Sequence, residues 1–205
     1  MFKFFLKGGP LMWPILLCSV ISITITLERF YHFYRARTKI PNIFARVKRF
    51  LQEGKADEAL KLCEEASGPI AHILAIGIHI RNRSLEEKEK LLAKAGSRII
   101  RQFDRHLNGL AIISNITPLL GLLGTVTGMI KAFMKIQELG GRVDASVLAG
   151  GIWEALITTA FGLSIAIPTL VAYHYFESRV DNVNNQMKDA ATEFLEMGHV
   201  PAVNR

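Results

Sequence analysis

The 205-residue chain is half hydrophobic, has only 21% charged residues and carries a formal net charge of +7. Charge below the usual quarter of residues, gathered between long uncharged runs, argues against a soluble protein of one or two domains. The positive excess is local: residues 28–106 hold 17 Lys/Arg against 10 Asp/Glu, and the remainder balances.

The first uncharged run, Gly8 to Leu27, spans 20 residues, enough for one helical crossing of a hydrocarbon layer about 30 Å thick. A helix is expected because a lipid-exposed backbone must satisfy its own hydrogen bonds. Lys3 and Lys7 precede the run as in a secretory signal, but no small-x-small cleavage site follows, and bulky Leu17 before Cys18 argues against lipoprotein processing. The segment reads as a retained span over 10–28, with 1–9 as a short outer amino terminus. Cys18 in this span and Cys63 in the polar region fall on different sides of the membrane boundary, so no disulfide is expected.

Arg29, Arg35, Arg37, Lys39, Arg46, Lys48 and Arg49 follow the span with no acid among them. Positive flanks stay in the cytoplasm, so 29–106 is predicted to be a cytoplasmic helical domain and the amino terminus to face the periplasm. Beside a membrane exit, such a cluster suits anionic lipid headgroups better than nucleic acid. Ile43, Val47, Phe50 and Leu51 repeat at helical spacing up to Gly54, and the pattern resumes from Asp57 to Ala66. Gly68-Pro69 then punctuates the chain, with Pro69 suited to the first turn of a helix through Ile80. Ser84-Leu85-Glu86-Glu87 fits a capping box. No stop follows, so one long helix is expected from about Leu85 through Ile130, with Pro118 a candidate kink.

The second uncharged run, Leu107 to Ile130, covers 24 residues and the third, Ala155 to Phe176, covers 22. They predict spans over 107–133 and 149–176, joined by a periplasmic loop over 134–148. A cytoplasmic carboxy-terminal helix over 177–205 follows. The expected class is an all-α integral membrane protein with three transmembrane helices and long cytoplasmic helical extensions.

Enzyme signatures are absent: there is no phosphate loop, nucleophile elbow or clustered zinc ligand set, and no cofactor is expected. His72 and His79 could share a helix face, but two imidazoles without a third ligand read as surface polar residues. The chemistry points into the membrane. Glu154 is the only charged residue in the 32 positions between Asp144 and Glu177. Either it snorkels to the outer interface beside Trp153, or it faces a wet or protein-lined path where reversible protonation is possible. Small residues line one side of each neighbouring span: Thr117, Gly121, Gly124, Thr125 and Gly128 on the second, Ala155, Thr159, Gly162 and Ala166 on the third, with Thr158 nearby. Small residues let backbones approach, and threonine hydroxyls supply hydrogen bonds where water is absent. A lone glutamate beside such a seam suits a proton relay better than a metal or large-solute site.

The run Thr117-Pro118-Leu119-Leu120-Gly121-Leu122-Leu123-Gly124-Thr125-Val126-Thr127-Gly128 resembles the second span of the MotA/TolQ/ExbB proton channel family. Gly151-Ile152-Trp153-Glu154-Ala155-Leu156 and Thr158 through Pro168 resemble its third. Three spans rather than four resemble the ExbB and TolQ branches. The resemblance implies a homo-oligomeric, pentameric pore with a single-span partner of the ExbD or TolR type, whose aspartate enters the pore. It implies a proton path through Glu154, Thr125 and Thr159, and helix packing through Gly121, Gly124, Gly128, Gly162, Pro118 and Pro168. Thr158 carries less weight, because relatives often have a small apolar residue there. The implied role is an inner-membrane subunit that uses the proton motive force, through a TonB- or TolA-type periplasm-spanning protein, to power TonB-dependent outer-membrane transport. A TolQ-type role in envelope maintenance is the alternative within the family; compact length favours ExbB. A non-conducting scaffold is the alternative outside it.

Overall fold

The structure is a computed structural model that describes residues 8–35, 43–66, 68–138 and 145–197. Every regular element among them is an α-helix: α1 (Met12–Arg35), α2 (Ile43–Gln52), α3 (Ala56–Ala66), α4 (Pro69–His79), α5 (Leu85–Asp104), α6 (Leu107–Glu138) and α7 (Ala145–Met197). α1, α6 and α7 are long and apolar enough to cross a membrane. Of the expected outer amino terminus, only Gly8 and Gly9 are among the described residues; 139–144 of the expected outer loop and 198–205 of the tail lie outside them. The chain divides into two compact units, one holding the residues up to Glu28 with His106–Tyr175, the other Arg29–Arg105 with the chain from Phe176 onward.

The first unit turns many of its large apolar side chains outward, although Met12, Ile15, Leu107, Leu110 and Ile113 are buried. Trp13, Leu17 and Leu27 on α1, Leu119, Leu122 and Phe133 on α6, and Leu156, Ile167 and Val171 on α7 are all exposed. Small and hydroxylated residues face inward instead: Ser114, Thr117, Gly121, Gly124 and Gly128 on α6, and Ala155, Thr158, Ala166 and Thr169 on α7 are buried. That inversion suits helices solvated by lipid tails, which are as apolar as leucine and leave close backbone packing as the source of cohesion. α6 runs unbroken through Pro118, and α7 through Pro168. Each proline lacks an N–H and so frees a carbonyl one turn earlier.

The second unit follows the logic of a soluble domain. Ile43 and Val47 of α2, Ala59, Leu62, Cys63 and Ala66 of α3, Ile73, Leu74 and Ile78 of α4 and Leu92 of α5 form one core, which Met187, Ala190 and Phe194 of α7 complete. Apolar positions on α3 recur at helical spacing, while α4 is buried on most sides. His72 and His79 lie exposed on α4. Burial, followed by the charge of Glu64, pushes the Cys63 thiol up to about 11. Gly54 turns the chain between α2 and α3 at φ +76°. Ser84 caps α5, its hydroxyl accepting from the Glu87 amide at 3.3 Å.

The expected single helix from Leu85 through Ile130 is interrupted at Arg105 and His106. A contact far away in sequence meets the chain at this point. The buried Arg29 guanidinium donates to the Phe103 carbonyl at 2.9 Å. A cation at a helix carboxyl end satisfies an orphan carbonyl and complements the dipole, which favours ending the helix there. α6 then begins with its own tight turn, the Gly109 amide donating to the His106 carbonyl at 3.2 Å.

Two glycine replacements separate backbone strain from packing. Gly54→Ala meets open space but keeps a left-handed φ, so it should cost about 1–2 kcal/mol. Gly96→Ala, whose new carbon would lie 4.0 Å from Ile73 Cδ1 inside α5, should instead stabilise by about 0.5–1 kcal/mol. Thermal unfolding of the full-length protein in detergent checks the opposite signs.

Candidate functional site in the α6–α7 seam

α6 and α7 meet in antiparallel register, residue by residue. A β-carbon on Gly162 would lie 2.9 Å from the Thr117 carbonyl oxygen, and one on Gly121 would lie 3.0 Å from Thr159 Cα. Further along, Gly124 faces the Thr158 methyl directly, a β-carbon on Gly128 would lie 2.9 Å from Ala155 Cβ, and one on Gly151 would lie 2.6 Å from Ala132 Cβ. At Gly121 and Gly162 the obstacle is backbone, which cannot swing aside. Glycine is therefore required here for the approach of the two backbones.

The threonines divide their hydroxyls between the two helices. Thr159 donates across the seam to the Gly121 carbonyl at 2.8 Å, whereas Thr125 donates within α6 to the Leu122 carbonyl at 2.6 Å. Both side chains are half-buried. Thr125 follows Gly121 by four residues, so it lies on the same row of α6 as the carbonyl that Thr159 uses. Thr158 is fully buried, and its one hydroxyl proton is shared between two carbonyl oxygens in reach, that of Glu154 at 2.8 Å and that of Gly8 at 2.9 Å. Thr158 thus shares a helical row with Glu154 and ties it to the segment before α1.

Glu154 is half-buried, with its side chain 30% exposed, and it is paired: Oε1 lies 3.3 Å from Lys131 Nζ on α6. Gly9 packs its backbone against the same oxygen. Reading charge along α7 alone makes Glu154 look solitary and misses Lys131. The register supplies the missing signal. Gly128 meets Ala155 and Ala132 meets Gly151, so Lys131 and Glu154 reach the same depth on antiparallel helices. Gly8 and Gly9 had no sequence signal beyond their preceding the first span.

The structure therefore brings Glu154, Thr158, Thr159 and the glycines Gly121, Gly124, Gly128 and Gly162 to one seam, with Thr125 on the Gly121 row. Pro118 is half-buried beside that seam and Pro168 is exposed. Among the described residues no cluster of three or more His, Cys, Asp or Glu could hold a metal ion.

The sequence of this seam has relatives. The model of the MotA/TolQ/ExbB proton channel family matches residues 65–189, more than half of the chain. The chain belongs to that family. It is 34% identical over 179 residues to putative biopolymer transport protein ExbB-like 1 of Synechocystis, covering 85% of this chain and 69% of that one. Biopolymer transport protein ExbB of Neisseria meningitidis is 28% identical over 220 residues, covering 98% and 96%. A putative ExbB homolog of Methanothermobacter thermautotrophicus is 29% identical over 181 residues; the match takes in 88% of this chain but only 64% of that relative's length. As a member of this family the protein is a multi-pass membrane protein of a channel and transport group rather than an enzyme group. Relatives named ExbB agree with the branch that the spans resemble.

Because Gly121 faces backbone, Gly121→Ala should loosen the seam by about 1–3 kcal/mol, an overpacking cost. Gly150→Ala, inside α7 with nothing within 4 Å, should leave the seam intact and, like Gly96→Ala, stabilise by about 0.5–1 kcal/mol. Thermal melting of the full-length protein in detergent distinguishes the two.

Proposed function

We propose that this protein is a proton-channel subunit of an inner-membrane energy-transducing complex, with Glu154, Thr125 and Thr159 along the path. The observation that carries the reading is the setting of Glu154: a half-buried carboxylate on a membrane-spanning helix, beside a seam of hydroxyls and bare backbone. Ionisable groups at such depth are costly, and their common use is to move protons or ions. One carboxylate and a few hydroxyls can pass a proton but form a poor cage for a metal ion or a large solute.

In this reading the amino terminus faces the periplasm and Arg29–Arg105 the cytoplasm, because the basic residues follow the first span. The outward apolar faces of α6 and α7 are covered by lipid and by further copies of the chain, the pentamer that the family resemblance implies. A single-span partner of the ExbD or TolR type brings a second carboxylate to the path. Relatives named biopolymer transport protein ExbB favour service to TonB-dependent transport.

Glu154→Gln keeps the shape but cannot titrate, so it should preserve assembly and lower proton-driven uptake about tenfold or more. Thr125→Ala and Thr159→Val should likewise lower flux while the oligomer stays intact. Proton flux in proteoliposomes of the complex purified from native membranes, beside native mass spectrometry of its subunits, checks this. Undiminished flux in Glu154→Gln counts against a titrating role. Dissociation in the threonine variants would instead favour a scaffold without conduction.

A further inference from the structure

Two stretches distant in sequence converge on the Glu154 carboxylate, and a residue of its own helix holds one of them. α6 contributes Lys131, whose Nζ lies 3.3 Å from Glu154 Oε1. The segment before α1 contributes Gly9, at φ +72° and packed against that same oxygen so closely that a β-carbon there would collide with it. α7 contributes Thr158, whose buried hydroxyl holds the Gly8 carbonyl at 2.9 Å and so fixes the turn in place. Gly8 is itself buried, where a β-carbon would lie 2.6 Å from Met12 Cγ and 3.2 Å from Ile157 Cγ2. The turn is thus packed on both sides.

A glutamate on a helix surface has several rotamers, and the next positions outward on α7 are the exposed Trp153 and Leu156. With a cation on one side and backbone on the other, the carboxylate is kept on the α6 side. Lys131 is 56% exposed in the single chain, so no stability is assigned to the pair and its worth lies in direction. The next lysine along α6, Lys135, meets Glu138 at 3.0 Å.

We propose that Lys131 is a positioning residue for Glu154 and that the Gly8–Gly9 turn is the wall that keeps the carboxylate against it. The inference rests on the proton-path reading of Glu154 and adds what aims that group.

Chemistry on the full-length protein in membranes tests the pair without any flux. A water-soluble carbodiimide adds the Glu154 carboxylate to give an O-acylisourea. Attack by the Lys131 amine forms an amide, with loss of the urea and a proton from nitrogen. Mass spectrometry should find the Lys131–Glu154 link in the wild type. With glycine ethyl ester as competing amine, Lys131→Gln and Gly9→Ala should each raise ester labelling of Glu154 about threefold. Lys131→Arg keeps the charge but also removes the competing amine, so its labelling should rise less than that of Lys131→Gln, and the difference between these two variants reads the positioning. In the purified complex, Lys131→Gln should lower proton flux about tenfold, the cost of a misplaced group, and Lys131→Arg should keep about half. Absence of the link overturns the inference, as does a link accompanied by wild-type flux in Lys131→Gln. A wild type that conducts no protons overturns the channel reading alone, and the link and labelling then decide the positioning by themselves.

Discussion

The close approach of α6 and α7 constrains everything else in the spanning unit. In lipid there is no hydrophobic gain from bringing two helices together, so cohesion comes from van der Waals contact and hydrogen bonds between them. Backbones can touch only where side chains are missing or minimal, hence Gly121 against Thr159, Gly128 against Ala155 and Gly162 against the Thr117 carbonyl. Along the seam itself large side chains are excluded by the same geometry, and Leu119, Leu122 and Leu156 point away from it, whereas Met12, Ile15, Leu110 and Ile113 are buried elsewhere in the unit. Bare backbone also leaves the Gly121 carbonyl open to the Thr159 hydroxyl, a bond between helices that a side chain at 121 would block.

The second unit is held by the opposite arrangement, apolar residues inward and charges outward. Among the described residues one cation breaks that rule. Arg29 is buried, and its guanidinium serves the end of α5 at Phe103. Among the basic residues that follow the first span it therefore has a structural task, whereas Arg46, Lys48 and Arg49 are exposed. A positive flank that orients a membrane protein need not be interchangeable residue by residue.

What the sequence could reveal follows from the range of each interaction. Spans are legible because membrane thickness dictates the length of an uncharged run. The Gly54 turn and the Ser84 cap are legible because each depends on neighbours within a few positions. The break after Asp104 is not, and the contact that accompanies it comes from Arg29, 74 residues away from the carbonyl it binds. Lys131 escaped for a similar reason: counting charges along α7 cannot register a cation on α6. The relative importance of Thr158 was also hidden. A family pattern set it below Thr159, yet its buried hydroxyl serves both α7 and the Gly8 carbonyl, a partner 150 residues away.

The hydroxyls also define what the seam can accept. Thr125 and Thr159 each donate to a backbone carbonyl, so their single proton is committed. What remains on each oxygen is an acceptor lone pair. Such a group repels an anion and welcomes a donor: a protonated carboxylic acid, a water or a hydronium. Glu154 has the complementary position, a carboxylate that already accepts from Lys131. On the proposed proton path, an acid would therefore be accepted by the threonine stretch in its protonated form and not as its anion.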